Sequence, residues 1–110
     1  KKEMHMFQIE PVSGKMIDYY VGRSDAVIID LREKEAYERS HIRGAVNIPY
    51  KDLEERTDFP EGKILVFYCD RGGASMLAAR SLARQGWRTR SLIGGFEAHR
   101  GRNLVFWKKS

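Results

Sequence analysis

The 110 residues, 42% of them hydrophobic and 32% charged, suit one domain with a modest core, expected to span residues 1–110. The formal net charge of +5 points to anionic small molecules or acidic partners. The basic residues are scattered, however, without zinc-finger spacing or an aromatic–basic RNA-binding signature, so nucleic acid is not expected as a partner.

A single cysteine excludes an internal disulfide and makes a reducing, cytoplasmic compartment the default. No apolar run approaches the roughly 18 residues of a membrane span, and no signal peptide is visible. The sequence opens KKEMHMF, without an initiator methionine, which fits a trimmed chain or a piece of a longer one.

In chain order, MFQIE (Met6 to Glu10) reads as a short strand and SGKMIDYYVG as a helical segment. AVIIDL (Ala26 to Leu31) is almost continuously apolar, as a strand covered on both faces should be. EKEAYERS is helix-like, AVNIPY (Ala45 to Tyr50) a strand, and KDLEERT helix-like again. KILVFY (Lys63 to Tyr68) is a second continuously apolar strand. GASMLAARSLARQGW follows as a helix, with Met76, Ala79 and Ala83 on one face and Arg80, Arg84 and Gln85 toward water. Gly86 is placed as its C-cap, and TRSLI (Thr89 to Ile93) closes the set as a strand. Strands alternating with helices imply an α/β fold: a parallel sheet with right-handed crossovers and helices on both faces. In such sheets ligands collect beyond the carboxyl ends of the strands, where Cys69 stands.

Cys69 opens the loop CDRGGAS, between a strand and the long helix. Gly72 and Gly73 permit conformations closed to other residues, so the chain can curl and aim several N–H groups inward. Such a nest at a helix N-terminus favours a thiolate, the nucleophilic form of cysteine. The same amides can hold a second anionic sulfur. Arg71 adds positive charge and Asp70 subtracts it. The plain alternative is a buried strand-end cysteine beside a glycine turn.

Three segments carry a family resemblance: VIIDLREKEAYERSHIRGAVNIP (Val27 to Pro49), YCDRGGAS, and LIGGFEAHR before the end. In this order and spacing, from about Met6 to Gly101, the chain resembles a single-domain rhodanese, a sulfurtransferase carrying sulfane sulfur as a cysteine persulfide. The resemblance implies five parallel strands in order 1-5-4-2-3 flanked by helices. It implies that the Cys69 thiolate takes the outer sulfur of thiosulfate, another small anionic donor or a persulfide, and passes it to cyanide, a thiol or a protein. No metal or organic cofactor is implied. The amides of Asp70, Arg71, Gly72, Gly73, Ala74 and Ser75 would cradle the transferred sulfur, and the Ser75 hydroxyl would reach it. Many relatives carry arginine where Ala74 stands, and Asp70 disfavours a dianion, so persulfide or protein donors are expected over thiosulfate. His99 stands where the family often has tryptophan.

Asp30 and Arg32 could shape the rim of the loop; a structural ion pair, or Asp30 capping the helix that starts near Glu33, is the simpler role. His41 is placed as a turn-fixing residue and not as a base for Cys69. His5 and His99 have no partners at metal-ligand spacing. Gly94 and Gly95 should let the last helix approach the sheet, and Phe106 with Trp107 should clamp the C-terminus. Two rival readings use the same residues. A cysteine phosphatase needs arginine six positions after the cysteine, which is Ser75 here; a non-catalytic interaction or redox-sensing module would use the same fold without sulfur transfer.

Overall fold

The computed structural model describes residues 9–56, 58–99 and 103–106. Its strands, in chain order, are β1 (Ile9–Val12), β2 (Ala26–Asp30), β3 (Ser40–Ile42), β4 (Val46–Asn47), β5 (Ile64–Tyr68), β6 (Arg88–Leu92) and β7 (Leu104–Phe106). Five of them form a wholly parallel sheet in the order β1-β6-β5-β2-β4. Counted over those five alone, this is the expected order 1-5-4-2-3. The two continuously apolar runs are its central neighbours, with Ala26 opposite Ile64 and Asp30 opposite Tyr68. Residues 6–8 of the first expected strand, His5 and Trp107 lie outside the described residues.

Central strands need apolar residues on both faces because both are covered. All five residues of β5 are buried, and they alternate between two layers. Leu65 and Phe67 pack with Ile29, Leu31, Leu53, Ala79 and Leu82 on one side. Ile64, Val66 and Tyr68 pack with Val12, Ile17, Ile28, Ile42 and Leu92 on the other.

The first layer is roofed by the long helix (Gly73–Arg84), whose buried face is Ser75, Ala78, Ala79, Leu82 and Ala83. Met76, expected on that face, is 39% exposed, because the packed stripe is set by Ala78 and Leu82, one turn apart. The second layer is covered by a short helix (Gly14–Ile17) with a following 3-10 turn (Asp18–Tyr20). In chain order the α-helices are therefore α1 (Gly14–Ile17), α2 (Lys34–Arg39), α3 (Gly73–Arg84) and α4 (Gly95–Ala98). KDLEERT does not form an α-helix; Tyr50–Glu55 is a 3-10 segment. Gly86, at φ +105°, takes the left-handed position just past the Gln85 cap of α3.

One feature had no local signal. β3, read as part of a turn, pairs antiparallel with β7, so Ser40 faces Phe106 and Ile42 faces Leu104. The C-terminal segment is thus held by its backbone, with Leu104 and Val105 half-buried and the Phe106 side chain 61% exposed.

Candidate active site

β5 delivers Cys69 to the carboxyl end of the sheet, where its side chain is 7% exposed. The loop then folds back over the sulfur: the Gly72 amide donates to Cys69 Sγ at 3.1 Å and the Ser75 amide at 3.4 Å. Gly72 makes this possible. Its φ of +107° is open to glycine and costly for other residues, and it lets the chain reverse into the first turn of α3. Gly73 needs no such freedom; it lies in the helix with open space around its Cα. The expectation that both glycines are conformationally required therefore holds for Gly72 alone.

The amides of Asp70, Arg71, Gly73 and Ala74 have no hydrogen-bond partner among the described residues. Two of these belong to the first turn of α3, whose N–H groups have no intrahelical acceptor. With the pair already on the sulfur, they are the backbone donors that the loop can offer to an anion. The mouth above it is an open depression of about 440 Å³.

Among the described residues the Ser75 hydroxyl, expected to be offered to the transferred sulfur, makes no hydrogen bond to Cys69 Sγ. It donates to the Gly72 carbonyl at 3.1 Å and lies 2.9 Å from the Ser91 hydroxyl on β6, fully buried. Ser75 serves Cys69 through its backbone, while its side chain fastens α3 to the sheet.

Charge at the mouth is mixed. Glu33, Asp70 and Glu97 line it, along with Arg32 and Arg71. Arg71 is 85% exposed and its Nε lies 3.5 Å from Glu97 Oε1, so the loop's cation is paired across the opening. Glu97 was missed from the sequence, since nothing local joins it to Arg71, 26 positions earlier.

Beneath the mouth lies a buried polar network. The Asp30 carboxylate accepts the Arg32 amide at 2.9 Å and the Arg32 guanidinium at 2.8 to 3.2 Å. Arg32 Nη2 also donates to the Ser40 carbonyl at 2.6 Å. Burial lowers the proton affinity of that guanidinium, but the Asp30 hydrogen bond and charge prevail and raise it above the ordinary value. Tyr68 shares the network. Burial, then the negative charge of Asp30, push its phenol above the usual tyrosine range, while its oxygen accepts the Ile42 amide at 3.1 Å. Asp30 does not cap α2; Glu33 holds that position, without a side-chain capping bond.

His41 sits in β3 with its ring stacked on Tyr37 at 3.8 Å and its Nδ1 2.8 Å from the Tyr37 carbonyl. Among the described residues it makes no hydrogen bond to Cys69.

The last loop completes the site. Gly94 and Gly95 have φ of +76° and +68° and open α4 directly against the cysteine loop. The Phe96 amide donates to the Cys69 carbonyl at 2.7 Å and the Glu97 amide to the Asp70 carbonyl at 3.2 Å.

A family model described as "Rhodanese-like domain" matches residues 17–101, most of the chain. The chain belongs to that family. Within the rhodanese-like relatives, it is 38% identical over 76 residues to a tRNA sulfurtransferase of Desulfurococcus amylolyticus, covering 69% of this chain but 15% of that protein. It is 37% identical over 79 residues to the thiosulfate sulfurtransferase GlpE of Coxiella burnetii, covering 70% of this chain and 74% of GlpE. Among solved structures, a rhodanese-like domain protein from Staphylococcus aureus superposes with a TM-score of 0.77 at 19% identity, over 90% of this chain and 99% of that one, a likeness of fold. Among the described residues of this rhodanese-like chain, no helix is long and apolar enough to cross a membrane.

Proposed function

We propose that this rhodanese-like domain is a sulfurtransferase that carries sulfane sulfur on Cys69. The carrying observation is the set of loop amides: two already on Sγ and four more, on residues lining the mouth, without partners among the described residues. The four belong to exposed or half-buried residues lining the open mouth, where an anionic sulfur can take the place of solvent on them.

In the proposed cycle the Cys69 thiolate attacks the outer sulfur of the donor. The donor's sulfur–sulfur bond breaks, its electron pair leaves with sulfite or a thiolate, and a persulfide forms on Cys69. The free amides then hold the new terminal sulfur anion. An acceptor thiolate or cyanide attacks that sulfur, and the pair in the breaking bond returns to Cys69. A protein thiol can serve as the acceptor.

The acidic side chains at the mouth and the pairing of Arg71 with Glu97 favour donors of low charge, such as persulfides, over the thiosulfate dianion. The arginine that a cysteine phosphatase needs is replaced by Ser75, whose hydroxyl is buried against Ser91.

The test is a donor panel with intact-mass detection. Wild-type protein should gain the mass of one sulfur atom from glutathione persulfide and release thiocyanate to cyanide, and Cys69→Ser should do neither. If wild-type protein accepts sulfur from no donor but captures a binding partner, the interaction-module reading replaces this one.

A further inference from the structure

Gly95 and Phe96, which touch neither the sulfur nor the open mouth, stand behind the cysteine loop and grip its backbone. The Phe96 and Glu97 amides hold the carbonyls of Cys69 and Asp70. In a trans peptide the carbonyl and the following N–H point in opposite directions. Fixing those two carbonyls against α4 therefore turns the Asp70 and Arg71 amides away from α4, as two of the four unpaired donors of the site.

The approach is as close as the backbone permits. A Cβ on Gly95 would overlap the Asp70 carbonyl oxygen and stand 2.5 and 2.6 Å from the Asp70 carbonyl carbon and the Arg71 nitrogen. On the facing side, a Cβ on Gly72 would already lie 3.4 Å from the Gly94 nitrogen and 3.8 Å from the Gly95 nitrogen. The loop glycine and the α4 glycines are thus packed back to back.

Phe96 anchors this arrangement. Its ring stacks on Tyr68 with centroids 5.7 Å apart, and the Arg32 guanidinium carbon lies 4.0 Å from its centroid. The buried Asp30–Arg32 pair, whose arginine also lines the mouth, is therefore joined to the back of the loop through a chain of contacts: Arg32 to the Phe96 ring, and Phe96 amide to the Cys69 carbonyl.

We infer that Gly95 and Phe96 are positioning residues: α4 clamps the cysteine loop from behind and sets the direction of the peptide dipoles that receive the sulfur anion. The inference rests on the sulfur-carrier reading only in taking Cys69 as the reacting atom.

The test compares three variants by thermal melting, by the rate and pH profile of Cys69 alkylation with iodoacetamide, and by sulfur loading from glutathione persulfide. Gly62→Ala is the control: it also places alanine at positive φ (+81°), but with open space around it. It should melt lower yet alkylate and load like wild type. Gly95→Ala should alkylate about tenfold more slowly at neutral pH, the scale of losing one hydrogen bond to a charged group, with the profile displaced to higher pH. Phe96→Ala introduces no clash and covers the case in which Gly95→Ala does not fold; it should slow alkylation severalfold, with Phe96→Leu recovering part of the rate. A folded Gly95→Ala with wild-type alkylation overturns the inference, as does wild-type behaviour of Phe96→Ala. Slow alkylation in these variants, in a protein that loads sulfur from no donor, upholds the clamp while removing the sulfur-carrier reading.

Discussion

The chain leaves the sheet at two adjacent points, after β2 and after β5, and the two exits are built in opposite ways. After β2, Asp30 and Arg32 enclose each other: the carboxylate accepts four bonds from one arginine, and Asn47 Nδ2 donates to the Asp30 and Arg32 carbonyls at 3.0 and 2.9 Å. After β5, two amides are engaged with a single thiol, and four more in the same loop have no hydrogen-bond partner among the described residues. Saturated polar groups hold a shape. Unsaturated ones at a surface depression are open to a ligand. On the proposed reading, two stretches with similar places in the fold divide into a support and a reactive centre, and α4 contacts both.

The comparison can be broken most severely at the support. Asp30→Ala leaves a buried guanidinium without its counter-charge, so a loss of about 3–5 kcal/mol in chemical denaturation is expected. Cys69→Ser, by contrast, should leave stability nearly unchanged while abolishing sulfur loading. Equal stability losses in both would erase the distinction between the two exits.

A smaller effect separates the two loop glycines. Gly72→Ala must place a side chain at φ +107° and should cost about 1–2 kcal/mol. Gly73→Ala enters a helix with open space and should be neutral or stabilising by up to about 1 kcal/mol. Melting curves for the pair decide it; similar losses would mean that the turn does not depend on Gly72.

At the mouth, Glu97→Gln keeps the backbone grip on Asp70 but releases Arg71. Its kcat/KM for thiosulfate should rise by about two- to fivefold, the range of an exposed ion pair, with little change for an uncharged alkyl persulfide. Added salt should shrink the gain. Parallel rises for both donors would refute selection by charge.

The gentlest probe is alkaline pH. Burial and Asp30 hold the Tyr68 phenol above its unfolded value of about 10, so above that pH the unfolded chain gives up a proton that the folded chain keeps. Stability should therefore fall as pH rises past about 10, by up to about 1.4 kcal/mol per pH unit from this group. Tyr68→Phe should show a shallower decline between about pH 9 and pH 11. The same slope in both proteins would remove Tyr68 from the network's energetics.

What could be read locally was read from short-range pattern. Ile64 to Tyr68 is apolar without a break because both faces of its strand are covered, and this alone places Cys69 at the carboxyl end of a buried strand. A cysteine followed at three positions by glycine, ahead of a helix, carries the nest in its spacing. The direction of the Ser75 hydroxyl was not legible, because it depends on Ser91 arriving from another strand. The β3–β7 ladder escaped for the same reason: its partners are more than 60 residues apart, and neither has a pattern strong enough to announce a strand.

Chain chemistry by itself determined the five-stranded parallel sheet, the long helix after Cys69 and the position of the one thiol, since these follow from hydrophobic period and from the backbone freedom of Gly72. Only the folded molecule decided which amides stay unpaired, that Glu97 answers Arg71, and that Gly95 presses against Asp70. Those outcomes depend on distances between segments remote in sequence, and a few tenths of an ångström between two backbones separates a tolerated side chain from an excluded one.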